Sequence, residues 1–152
     1  MEILRNLKPE APIIMITPVV PVIDTSNGPG TPDPYQPFGR ALEERHKRIR
    51  HVPYLDENLL TSTHHGLIKL SEFIIIFVND VPTETSKAHQ FNAAVQLNAL
   101  LNNSKPLVVV ITNRSLELWE KLNDFKFATV VQVPDYTPES LELAASVMFG
   151  EI

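Results

Sequence analysis

The sequence predicts a three-layer α/β/α sandwich around a mainly parallel sheet of roughly five strands. Three continuous, β-branched apolar runs carry this prediction, because strands covered on both faces lack the polar alternation of half-exposed strands. The runs are residues 12–17, 73–78 and 107–111. Longer segments with helical spacing separate them, and alternation of strand and helix is typical of a parallel sheet with helices on both faces.

The remaining elements follow from weaker patterns. Two further strands are predicted at residues 49–54 and 128–133. The first, third and fourth strands are the most apolar, and we expect them at the centre of the sheet. Helical spacing of apolar residues predicts helices at residues 38–47, 57–70, 87–102, 116–122 and 140–149.

The chain of 152 residues is predicted to form a single domain, residues 1–152, with one long loop. The loop is expected at about residues 18–37, around the stretch SNGPGTPDPYQP, whose prolines and glycines interrupt both helices and strand ladders. Near the end of the chain, Thr137 followed by Pro138 and Glu139 predicts a capped helix start. Gly150 predicts the left-handed residue that ends this helix.

Composition restricts the class of function. Eighteen acidic against 13 basic residues give a net charge of −5, which disfavours nucleic acid as a partner, and the basic run at residues 45–50 is interpreted as a solvated helix end. The absence of cysteine excludes disulfides and thiolate metal sites. No apolar run approaches the ~20 residues of a membrane span, and the N-terminus lacks the apolar core of a signal peptide. We expect a soluble protein without a membrane partner, with a cytoplasmic location favoured.

A ligand site is expected where the strands end, since parallel sheets bind ligands beyond the carboxyl ends of their strands. Asp80 and Glu84 could form the carboxylate pair that glycoside hydrolysis requires, or could belong to a helix-capping loop. Arg114 could clamp an anionic or polyhydroxylic ligand, or could pair with Glu117 or a neighbouring domain. The candidate ligand-binding residues are Asn79, Asp80, Glu84, Asn113 and Arg114.

Other motifs predict neither a metal nor a cofactor. His64 and His65 are adjacent, whereas a helical zinc pair is spaced four residues apart. No glycine-rich phosphate loop follows a strand, which disfavours dinucleotides and nucleoside triphosphates, and no GxSxG elbow is present for serine catalysis. We therefore predict no catalytic residue, no metal and no cofactor.

Four stretches in order resemble the C-terminal α/β/α sandwich domain of glycoside hydrolase family 3, a domain of flavodoxin-like appearance. They are PFGRALEERHKRIRHVPYL, HHGLIKLSEFIIIFV, KPLVVVITNRSLEL and VVQVPDYTPESLELAASVMFGEI. The similarity runs from about residue 13 to residue 152 and is greatest to the β-N-acetylhexosaminidase-like branch with fungal-type sequences. Its most specific part is the closing segment, residues 136–151.

The resemblance implies a non-catalytic accessory domain. Family members of this branch carry their nucleophilic aspartate and acid/base groups on a preceding (β/α)8 barrel, and their chain normally continues beyond the Gly-Glu pair. The implied parent is a glycosidase of the β-N-acetylhexosaminidase or β-glucosidase type, and the implied partners are its barrel and a sugar containing N-acetylglucosamine or glucose. The family's Arg-Asn-Pro-Tyr-Asp-like segment reads Asn-Arg-Ser-Leu-Glu at residues 113–117, so a sugar contact by Asn113 or Arg114 does not transfer directly.

Two alternatives stay open. The first is a free-standing module that has lost its barrel and binds a small polar ligand or a partner protein, as a monomer or a homodimer. The second is a hydrolase that uses Asp80, Glu84 and a histidine.

Overall fold

The described residues form a five-stranded sheet in which every strand pair is parallel. The computed structural model describes residues 2–19, 35–55, 59–79, 84–112, 120, 127, 129–135 and 137–151. The strands are β1 (Ile13–Pro18), β2 (Ile49–Tyr54), β3 (Phe73–Asn79), β4 (Leu107–Thr112) and β5 (Thr129–Val133). The described helices are α1 (Glu2–Arg5), α2 (Gln36–Arg45), α3 (Ser62–Lys69), α4 (Glu84–Leu101) and α5 (Pro138–Met148).

Helices cover both faces of this sheet, which confirms the predicted three-layer α/β/α sandwich. Alternate residues of β1 point to opposite layers, as the period of two requires: Ile13 and Met15 pack with α1, α2 and α5, whereas Ile14 and Ile16 pack with α3 and α4. Side chains 73–78 of β3 are all fully buried. A strand buried on both faces has no place for polar residues, which explains the continuous apolar runs.

The strand order is β2-β1-β3-β4-β5, so β1, β3 and β4 occupy the centre as predicted. From β1 the chain crosses to β2 on one side, and from β3 it crosses to β4 on the other. The order therefore reverses between β1 and β3. Such a reversal opens a crevice at the carboxyl ends of the two strands, where ligands of open α/β sheets bind.

The long loop is shorter at both ends than predicted. Pro18 closes β1 in register with Tyr54, and Gln36 opens α2 with Pro37 in its first turn. Proline is tolerated at both places, because a residue at a strand end or in the first turn of a helix does not need its N–H for the backbone hydrogen bonds of that element. Residues 20–34, the remainder of the predicted loop, lie outside the described residues.

The third helix starts later than the predicted residue 57. Leu59 has φ 49°, in the left-handed region that a helix excludes, and Thr61 is extended with ψ 176°. Helix α3 accordingly begins at Ser62. The predicted helix at residues 116–122 lies almost wholly outside the described residues.

The predicted caps of α5 are confirmed. The Thr137 hydroxyl accepts from the Ser140 N–H at 3.3 Å, and Pro138 occupies the first helical position. At the other end, Gly150 has φ 72° and its N–H donates to the Val147 carbonyl at 3.0 Å. The Glu151 N–H donates to the Ser146 carbonyl at 2.9 Å. These two bonds form a Schellman motif, which requires the left-handed residue that glycine supplies.

The basic run at residues 45–50 is not simply a solvated helix end. Arg45 donates through Nε and Nη2 to the two carboxylate oxygens of Glu151 at 2.8 and 2.9 Å, and through Nη2 to Glu142 at 2.7 Å. Its Nη1 donates to the Ala41 carbonyl at 2.7 Å. His46 is buried, with Nε2 2.6 Å from the Ala11 carbonyl. Arg45 thus ties α2 to the segment that follows α5.

This contact makes part of the stability depend on pH. The guanidinium of Arg45 holds the pKa of the Glu151 carboxyl below its ordinary value, chiefly by hydrogen bonding. A carboxyl with a lowered folded-state pKa stabilises the fold above its unfolded-state pKa, and that contribution is lost as the pH falls through the folded-state value. We expect the melting temperature of the wild-type chain to exceed that of the Glu151→Gln variant at neutral pH. In acid, the difference between the two melting temperatures should disappear.

Melting temperatures of both proteins from neutral pH into acid measure this difference, with Glu43→Gln, an exposed change on α2, as the control. A difference that stays constant across the titration of the carboxyl would show that Glu151 contributes no charge-dependent stability.

Candidate functional site

The candidate site lies at the carboxyl ends of β1, β3 and β4, beside the reversal of strand order. Asn79 is the last residue of β3 and pairs in register with Thr112, the last residue of β4. Glu84 is the first residue of α4. The sequence predicted a strand ending at residue 78 and a helix starting at residue 87, with both residues in the connection between them. The structure instead places Asn79 at the end of β3 and Glu84 at the start of α4.

Three of the five candidate residues, Asp80, Asn113 and Arg114, lie outside the described residues. The carboxylate pair of Asp80 and Glu84 and the ligand clamp by Arg114 stay predictions. A carboxylate at the first position of a helix is favoured by the helix dipole in any case. The position of Glu84 is accordingly compatible with a carboxylate pair with Asp80 and with a helix-capping loop.

A hydrogen-bonded pair that the sequence did not indicate lies near the end of β1. The Thr17 hydroxyl is 2.6 Å from Nε2 of His51 on the adjacent strand β2. Thr17 is fully buried, whereas His51 is exposed. The bond fixes one nitrogen of the imidazole against the sheet, because Thr17 belongs to a strand that is buried on both faces.

His51 belongs to an exposed row on β2. His51 and Pro53 share one face of the strand by its period of two, and both are exposed. Leu55 follows the strand and is 49% exposed. Val19, which follows β1 and donates its N–H to the Tyr54 carbonyl at 2.9 Å, is 50% exposed. Helix α2 covers β1 on this side, where Phe38, Ala41 and Leu42 belong to the same buried cluster as Met15.

His64 has a structural role. Its Nδ1 accepts from the Thr61 N–H at 3.0 Å, so Nε2 carries the proton and donates to the Pro53 carbonyl at 2.9 Å. Both ring nitrogens thus join the start of α3 to the end of β2. Within the described ranges, no group of three or more His, Asp or Glu side chains is arranged to hold a metal ion.

Each residue of the Thr17 and His51 pair is unusual for its strand, but the sequence does not indicate that the two meet. Thr17 is a polar residue at the end of an otherwise apolar run, and His51 interrupts a predicted strand. The two residues are 34 positions apart, and only the register of β1 with β2 brings them together. Period and propensity describe each strand alone, so neither could indicate the contact.

The part of the chain that the structure describes contains no helix that is both long and apolar enough to cross a bilayer.

Comparison with known proteins shows similarity in fold only. No protein-family model and no curated protein sequence matches the chain. A solved structure of an oxidoreductase from Corynebacterium diphtheriae superposes with a TM-score of 0.50 over 89% of this chain and 93% of that chain, at 12% sequence identity. At this identity the similarity supports the three-layer α/β architecture and carries no information about the reaction.

Proposed function

We propose that this chain is the non-catalytic C-terminal accessory domain of a family 3 glycoside hydrolase, which supports a (β/α)8 catalytic barrel and contributes to sugar binding. The observation that carries the proposal is the closing segment. The stretch that most specifically resembles the family has a structural role at its key positions: Thr137 caps α5, Gly150 ends it, and Glu151 binds Arg45. Composition alone would not require this set of residues.

An accessory domain needs a surface on which its barrel can pack. Leu143 and Val147 lie four residues apart on α5, and they are 52% and 46% exposed. Residues at this spacing are neighbours on one side of a helix. Exposed Glu139 and Glu142 flank them. An apolar pair with a polar rim fits the surface expected of a domain that packs against another domain.

The test combines this chain with the (β/α)8 barrel of a fungal-type family 3 β-N-acetylhexosaminidase from which its own sandwich has been removed. We expect the two to co-elute in size-exclusion chromatography, and Leu143→Glu with Val147→Glu to abolish co-elution. Leu100→Glu, a similarly exposed leucine on the opposite layer, is the matched control and should leave co-elution intact. We also expect this chain alone not to hydrolyse chromogenic N-acetylglucosaminides or glucosides.

Hydrolysis by this chain alone would overturn the proposal, and so would a barrel that elutes separately from the wild-type chain. The second outcome would favour a free-standing binding module, as a monomer or a homodimer. One observation supports that alternative: the superposed solved chain consists almost entirely of the shared fold, with 93% of its length covered. A sandwich of this size can therefore make up a whole chain.

A further inference from the structure

We draw no further inference here: the strongest candidate, the exposed face of α3 that carries Ser62, Gly66 and, directly after the helix, Leu70, is an unpartnered stripe of small residues beside one exposed leucine, and nothing among the described residues shows what covers it.

Discussion

Replacing Phe77 by alanine is expected to lower the free energy of unfolding by about 4 kcal/mol. Phe77 is fully buried in β3, and its ring contacts two aromatic rings of the α2 layer. The ring centroids lie 4.8 Å from Tyr35 and 5.0 Å from Phe38, the latter edge to face. Truncation removes these contacts and leaves a cavity between the sheet and α2. This is a large share of the roughly 5–15 kcal/mol by which domains are stable.

Urea unfolding followed by circular dichroism measures the effect. Leu100→Ala is the matched control, because Leu100 is 48% exposed and its truncation should change stability by less than about 0.5 kcal/mol. If Phe77→Ala does not fold, Phe77→Leu keeps most of the volume and should lose less than half as much. Equal stabilities of the Phe77 and Leu100 variants would contradict the central place of Phe77 in the core.

Replacing His64 by alanine is expected to cost about 2 kcal/mol of stability. The imidazole serves an N–H at the start of α3 and the Pro53 carbonyl at the end of β2, and it is 8% exposed. Alanine would leave both groups without this partner. His64→Gln should recover part of the loss, because a glutamine at the third helical position accepts from the N-cap N–H in the same way.

The neighbouring His65→Ala provides the control for thermal melting of these variants. The Nε2 atom of His65 is buried and has no hydrogen-bond partner among the residues that the structure describes, so its removal should have little effect. A loss in His65→Ala equal to that in His64→Ala would show that helix propensity, and not the bridge to Pro53, sets the effect.

The sequence predicted the architecture because the determinants of β1, β3, β4 and α5 are local. A strand buried on both faces must be continuously apolar, and a helix start needs its cap within three residues. The start of α3 was missed because Leu59 adopts a left-handed backbone conformation, which is uncommon for leucine and which its sequence does not indicate. The Arg45 contacts were missed because Glu151 lies 106 positions away.

The candidate site was only partly predictable for the same reason. That ligands bind beyond the strand ends is a property of the fold, and this rule selected the connection that leaves β3. Asn79 ends β3 and Glu84 begins α4, whereas the prediction had both residues in the connection. Which side chains meet there depends on register. Thr17 reaches His51 because Met15 is the partner of His51 in the ladder, and a shift by one residue would turn His51 to the other face.

Pro53 also limits how the sheet can grow. The Tyr54 carbonyl points to β1, so the main-chain groups of Pro53 face outward, along the free edge of β2. At this edge Pro53 has no N–H to donate, and its carbonyl already accepts a hydrogen bond from His64. An incoming strand from another chain would find neither group available. Among the described strands, β5 lies at the opposite edge of the sheet, and it contains neither proline nor a charged residue. Edge-to-edge aggregation, or a sheet continued across two molecules, is therefore expected to start at β5.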